Sequence, residues 1–237
     1  MTFIGSSSSA EDGEAVFAGR EASSDRAALI GRVALMLLGI VVMALGIDIV
    51  VKANLGNSPI SAFPYVMSYV TPAISFGTLM LIWQCFLVLL QVIILRREFS
   101  PVALLQIPIS VLFGLCIDLF AGLMRGFELP NYAASWAFLA LGIAVLALGV
   151  TMTVISNTVM NCGEAVVQAV VTKTGIRFGT MKVIFDTSCA VAALLLGIIC
   201  LGHLEGVREG TIVCAACTGF VVNFYLSIYE RLSKKVK

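Results

Sequence analysis

The sequence predicts an all-α membrane protein: six transmembrane helices form a 3+3 inverted repeat, and each half carries a short re-entrant or interfacial half-helix. Three observations support this fold class. The 237-residue chain is 59% hydrophobic and 12% charged, with a mean hydropathy of +1.03, which is typical of integral membrane proteins. Six apolar runs are long enough to cross a bilayer, and two motifs of the first half recur in the second.

The two ends of the chain are polar. Residues 1–28 mix Ser, Ala and charges of both signs without a compact apolar core. They are therefore predicted to form a disordered cytoplasmic tail rather than a cleaved signal peptide. Residues 231–237 are predicted to form a short basic cytoplasmic tail.

The membrane spans follow from length, because a helix needs about 20 apolar residues to cross the hydrocarbon core. The qualifying runs are 29–51, 76–95, 101–124, 132–156, 179–202 and 209–229. Two further apolar segments, 57–70 and 158–172, are shorter: about 14 residues give roughly 20 Å of helix against a core of about 30 Å. An arrangement of eight crossings also fits the hydropathy, but length favours six spans and two half-helices.

The distribution of Lys and Arg predicts the orientation of these spans. With both termini in the cytoplasm, twelve of the 15 basic residues face inward, and Lys52, Arg125 and Arg208 face outward. Eight crossings would divide the basic residues eleven to four. Basic residues favour the cytoplasmic side of a membrane, so the sequence predicts a multi-pass protein with cytoplasmic termini.

The second half of the chain repeats the first. LGIVVMALG at 38–46 recurs as LGIAVLALG at 141–149, and FGTLM at 76–80 recurs as FGTMK at 178–182. With single-residue gaps, the repeat pairs Asn54 with Asn157, Gln84 with Asp186, Gln106 with Thr211, and Asp118 with Asn223. Residues 29–124 and 132–230 are the two repeats. Because each repeat holds three spans, an odd number, the second must be inverted relative to the first.

The short segments interrupt the apolar sequence with helix-start residues. Ser58 is a predicted N-cap with Pro59 at the first helical position, and Asn161 is a predicted cap with Glu164 in the first turn. Helix N-termini carry partial positive charge and free N–H groups, so two that converge would form a site for an anion or a polar solute. The same residues are also typical of ordinary interfacial turns, and Glu164 would complement a helix dipole in either case.

Charges inside the predicted spans mark further candidates, because ionisable groups are costly at membrane depth. Asp186 lies well inside its span, and Lys182 precedes it by one helical turn, so a purely structural ion pair is the alternative to a functional role. Asp48 and Lys52 repeat this spacing near the outer end of the first span.

These residues define one predicted binding site near the bilayer midplane, between the repeats. Its members are polar or flexible residues of the half-helix starts and of the charged span: Asn57, Ser58, Asn161, Gly163, Glu164, Lys182 and Asp186. The secondary candidates are polar positions of the spans and their ends: Asn54, Gln84, Gln106, Asp118, Thr211 and Asn223.

Several classes of function have no sequence support. The chain has no metal-ligand cluster, no paired nucleophile and base and no phosphate-binding loop, so we predict no cofactor, no metal and no enzymatic activity. Cys214 and Cys217 form a CxxC pattern, but it lies in an apolar helix without a basic neighbour, which indicates packing. The predicted partners are the lipid bilayer and a small-molecule or ion solute, without nucleic acid, and a homo-oligomer is compatible with this plan.

The motifs together resemble a known group, the YczE/YyaS/YitT-like bacterial membrane proteins. The resemblance covers approximately 35–230. It is carried by LGNSPIS (55–61), SFGT (75–78), LLQIP (104–108), FGLCIDL (113–119), MNCGEAVV (160–167), FGTMKVIFD (178–186) and GVREGT (206–211). The sequence departs from the expected pattern at Cys162, where a small residue or Pro is expected. The resemblance implies a six-span bacterial inner-membrane protein and supplies no substrate.

Two functional hypotheses follow. The first is a secondary transporter or facilitator of a small polar or anionic solute, which the inverted repeat, the interrupted helices and the buried charges favour. The second is a membrane accessory or regulatory protein that transports nothing. The short tails and loops leave little room for a soluble regulatory domain.

Overall fold

A computed structural model describes residues 8–176, 178–202 and 207–236. In these ranges the chain is all helical, with no strand. The helices are α1 (Ser8–Ala53), α2 (Pro59–Val70), α3 (Phe76–Leu95), α4 (Gln106–Leu123), α5 (Tyr132–Ser156), α6 (Cys162–Thr174), α7 (Phe178–Leu201) and α8 (Glu209–Val236), with short 3₁₀ turns at Arg96–Glu98 and Pro101–Leu105 between α3 and α4.

Six helices are long and apolar enough to span a membrane, as the sequence predicts. The spanning segments are Ala28–Ala53, Phe76–Glu98, Pro101–Leu123, Tyr132–Ser156, Thr180–Leu201 and Glu209–Leu232. The structure continues α1 as helix back to Ser8, within the stretch predicted as a disordered tail. The segment is rich in Ala and Glu and contains no Pro, so its composition permits helix. Residues 1–7 and 237, which belong to the predicted tails, lie outside the described residues.

Both interruptions begin with an Asn in the left-handed region. α1 and α5 end before Asn54 and Asn157, residues that the repeat pairs, and these have φ of 54° and 47°. Asn enters this left-handed region more readily than other non-glycine residues, so it ends a helix without the full steric penalty. Each interruption is followed by a short helix of 12 or 13 residues, α2 or α6.

The short helices run in opposite directions along α3. Tyr65 of α2 lies edge-on against Phe76 at the start of α3, with ring centroids 5.4 Å apart. Lys173 near the end of α6 forms an ion pair of 2.7 Å with Glu98, just past the end of α3. α2 therefore runs toward the beginning of α3, α6 runs toward its end, and both begin near its middle.

α1 and α5 pack closely along the recurring motifs, LGIVVMALG and LGIAVLALG. A methyl group at Gly149 would lie 2.5 Å from the Met43 nitrogen, and one at Gly39 would lie 3.0 Å from the Gly149 oxygen. The backbones touch because these positions lack side chains, which is a common way for membrane helices to associate. The two copies of one sequence motif thus pack against each other.

The remaining contacts come in matched pairs. α2 packs on α7 as α6 packs on α3, α1 packs on α4 as α5 packs on α8, and α2 packs on α3 as α6 packs on α7. One pair is unequal: α3 packs along α4, whereas α7 and α8 make at most a marginal contact over the residues that the structure describes.

Candidate functional site

A cavity of about 340 Å³ lies where the two half-helices begin. It would hold on the order of ten water molecules at about 30 Å³ each. Six of the seven residues of the predicted site line it: Ser58, Asn161, Gly163, Glu164, Lys182 and Asp186. Of the secondary candidates, Gln84 from α3 and Asn223 from α8 line it too. Apolar residues of α1, α4 and α5 complete the wall, among them Met43, Phe113 and Leu146.

The N-termini of the two half-helices meet at this cavity. A methyl group at Gly163 would lie 2.8 Å from the Cδ1 atom of Ile60, so the first turns of α2 and α6 are in contact. Ser58 and Asn161 occupy the N-cap positions, as predicted, but neither side chain accepts a hydrogen bond from its own helix. The first-turn amides are therefore not satisfied by these side chains, and helix N-termini of this kind favour anions and polar acceptors.

The charged groups of the cavity lie on α6 and α7. Lys182 Nζ donates to Asp186 Oδ1 at 2.9 Å, as the sequence spacing predicts, and the two side chains retain 26% and 19% of their exposure. Glu164, in the first turn of α6, lines the same cavity. The wall thus carries one more carboxylate than ammonium, beside two helix N-termini, so it offers both acceptors and donors to a solute.

Asn57 is a member of the predicted site that lies behind the cavity wall. It is completely buried, and its Oδ1 accepts hydrogen bonds from Ser58 N at 2.8 Å and from Ser61 Oγ at 3.0 Å. Asn57 therefore supplies the side-chain acceptor at the start of α2 that we assigned to Ser58. Its Nδ2 is buried, and no described residue offers it a hydrogen bond.

The start of α8 holds the start of α2 in place. Asn57 N donates to Thr211 Oγ1 at 3.2 Å, Gly210 N donates to Leu55 O at 2.7 Å, and Arg208 donates to Asn54 O at 3.1 Å. Two secondary candidates, Asn54 and Thr211, thus belong to an anchor between the repeats and not to the cavity wall.

A buried polar network holds the start of α6. Gln91 and Gln106 exchange hydrogen bonds of 2.9 and 3.2 Å, and Gln91 also donates to Cys162 O at 3.4 Å. Ser110 Oγ donates to Gln84 Oε1 at 2.5 Å, and Cys162 Sγ lies 3.6 Å from both Gln84 Oε1 and Ser110 Oγ. Cys162, the departure from the expected pattern, is therefore a buried neighbour of this network. Gln106 is an anchor residue here, as Thr211 is in the other half.

This network gives a testable prediction for Gln106. We expect Gln106→Leu to lower the free energy of unfolding by about 1–3 kcal/mol, because it leaves the buried Gln91 amide without its main partner. In the Gln106→Leu background, Gln91→Leu should lower the free energy of unfolding by about 1 kcal/mol less than it does in the parent protein. Thermal unfolding of the detergent-solubilised single and double variants measures this cycle. Strictly additive losses would contradict the reciprocal pair.

Asp118 and Asp48 differ from their predicted places. Asp118 accepts from Gly77 N at 2.8 Å and from Ser75 Oγ at 2.6 Å, so it caps the start of α3 and lies away from the cavity. Asp48 is 3% exposed, and among the described residues it forms no ion pair with Lys52. Its Oδ2 is buried and has no hydrogen-bond partner in the part of the chain that the structure describes. The spacing of Asp48 and Lys52 allows a pair, but the Asp48 carboxylate is buried in the protein.

Sequence reasoning missed several polar residues of this region. Ser61 and Thr218 line the cavity, and Gln91 and Ser110 belong to the network behind it. Gln91 could have been identified from the sequence, because a side-chain amide inside an uncharged span needs a hydrogen-bond partner. Over the described residues, no group of three His, Cys, Asp or Glu side chains is placed to hold a metal ion.

Comparison with known proteins identifies a family. A family model with the description "Family of unknown function (DUF6198)" matches residues 30–227, which include all six spans almost to their ends. No curated protein and no solved structure matches the chain.

Proposed function

The chain belongs to DUF6198, a family of unknown function, and we propose that it is a secondary transporter or facilitator of a small polar or anionic solute. The observation that carries the proposal is the cavity at which two half-helix N-termini meet beside Glu164 and the Lys182–Asp186 pair. Charged and polar groups are energetically costly inside a membrane protein, so their grouping around one cavity indicates a site for a solute or an ion. In this proposal the protein catalyses no covalent chemistry and needs no cofactor.

An inverted repeat supports transport. The matched contacts of the two halves, the opposed directions of α2 and α6, and the odd number of spans in each half agree with a two-fold axis in the membrane plane. In transporters with such repeats, the solute site lies between the halves, at discontinuous helices. The cavity occupies the corresponding place.

We further propose a location and an orientation. The resemblance to YczE/YyaS/YitT-like proteins supports the bacterial inner membrane, and the distribution of basic residues supports cytoplasmic termini. On this topology α2 begins deep in the protein and runs outward, and α6 begins beside it and runs inward.

Thiol labelling tests whether the cavity is reached from both sides of the membrane. All seven Cys are replaced by Ala or Ser, Ser58→Cys is introduced, and vesicles of each orientation receive a small cationic methanethiosulfonate that does not cross membranes. We expect labelling from both sides, because a transporter exposes its site to each side in turn. A solute that binds should slow both rates and change their ratio, which makes the assay a screen for the substrate.

The control is Ile82→Cys in the same background. Ile82 is 53% exposed on the apolar surface of α3, where the reactive thiolate is disfavoured and the reagent has no access, so we expect no labelling. Labelling of Ser58→Cys from one side only, unchanged by every solute tried, would contradict transport and favour the accessory protein.

A further inference from the structure

The start of α3 is locked against α4. Gly77 and Gly114 pack backbone to backbone: a methyl group at Gly114 would lie 2.6 Å from the Gly77 oxygen and 3.5 Å from Leu81 Cβ. Asp118, one turn further along α4, accepts hydrogen bonds from Gly77 N and Ser75 Oγ. Helix α4 therefore packs directly against the start of α3.

The same residue types recur in the second repeat, but over the described residues Gly219 lacks the packing that Gly114 has. The repeat pairs Gly77 with Gly179, Gly114 with Gly219 and Asp118 with Asn223. A methyl group at Gly219 would meet nothing within 4 Å, and both Gly219 and Asn223 line the cavity. Over the described residues α7 and α8 make at most a marginal contact, whereas α3 packs along α4. A groove of about 330 Å³ lies between the middle of α7 and the start of α8 and shares Asp186 with the cavity.

We propose that α7 and α8 close in a second conformation, with Gly219 against Gly179 as Gly114 lies against Gly77. This inference rests on the proposed function and assigns two gates to that site. The contact of α3 with α4 is one gate, and the contact of α7 with α8 is the other. In the closed gate, the Asn223 side chain takes the capping role at the start of α7 that Asp118 has at the start of α3. An amide accepts hydrogen bonds from the helix start without burying a charge.

The two gates lie at opposite faces of the membrane. On the proposed topology, the start of α3 is on the outer side and the start of α7 is on the cytoplasmic side. The described conformation therefore has its outer gate closed and its inner gate open, so the cavity faces the cytoplasm. Closing the inner gate while the outer gate opens would turn the cavity outward, and the two repeats exchange conformations in this motion.

Gly219→Leu separates the two conformations. The Leu side chain has room in the described conformation, because Gly219 lines the cavity and a methyl group there meets nothing within 4 Å, but it prevents the backbone contact that the closed gate needs. In the Cys-free Ser58→Cys protein, we expect outside labelling by the cationic methanethiosulfonate to fall about tenfold or more, which corresponds to a bias of about 1.4 kcal/mol. Inside labelling should persist or rise, which shows that the variant is folded.

The matched control is Gly122→Leu on α4. A methyl group at Gly122 also meets nothing within 4 Å, but Gly122 takes no part in the gate contact, so both labelling rates should match those of the parent. If the parent is labelled from both sides and Gly219→Leu leaves outside labelling unchanged, the gate is wrong while transport stands. If the parent is labelled from one side only and no solute tried changes this, the proposed function fails and the gate fails with it.

Discussion

Replacing Gly46 with Leu is expected to prevent α1 from packing on α5 and to lower the free energy of unfolding by about 3 kcal/mol or more. A methyl group at Gly46 would overlap the Leu146 backbone and lie 2.9 Å from its Cβ. Overpacking costs about 1–3 kcal/mol where side chains are able to move, and here the obstacle is backbone in the longest interface of the protein. Thermal unfolding in detergent, followed by tryptophan fluorescence, measures the loss.

Gly31→Leu on the same helix is the control for that variant. A methyl group at Gly31 meets nothing within 4 Å, so we expect an unfolding temperature close to that of the parent. Equal stability of the two variants would show that the α1–α5 contact is looser than the structure has it.

Asp186→Asn is expected to reduce transport by about 10- to 100-fold, because a hydrogen bond to a charged group contributes about 1.5–3 kcal/mol. The measurement is uptake into proteoliposomes of the solute that protects Ser58→Cys from labelling. Asp186 is suited to this role because it lines both the cavity and the groove between α7 and α8. The variant keeps the shape of the side chain and removes its charge.

Ser188→Ala is the matched control on the same helix. The Ser188 hydroxyl is exposed and donates to Ile184 O within α7, so its loss should leave uptake unchanged. Full activity of Asp186→Asn, with folding intact, would mean that Asp186 serves only to pair with Lys182.

The sequence was sufficient for the spans and for the place of the interruptions. A continuous apolar run of about 20 residues crosses lipid as a helix, because a helix forms all the hydrogen bonds of its backbone within the segment. The predicted run 132–156 therefore coincides with α5. Pro59 has no N–H to satisfy, which fixes the start of α2.

Side-chain roles at the interruptions could be predicted only in part. Asn57, Ser58 and Ser61 all offer a side-chain oxygen near one helix start, and only the path of the chain decides which of them accepts the hydrogen bonds. Asp118 has the polarity of a site residue, but its partner, Gly77, is 41 positions away, and no local pattern indicates that contact. The unequal packing of α3 on α4 and of α7 on α8 was also beyond prediction, because the repeat places Gly and a polar residue at corresponding positions of both pairs.

Gly46 and Leu146 meet across α1 and α5 although 100 residues of chain separate them. A ribosome that adds about 5–20 residues each second needs roughly 5–20 s to make this stretch. During that interval the nascent first half sits in the bilayer with its glycine face against lipid and its half-helix start without the anchor from α8. Biogenesis of this protein therefore includes a stage at which the first half lacks its packing partners. At that stage the incomplete protein is open to binding by chaperones and to cleavage by proteases of the membrane.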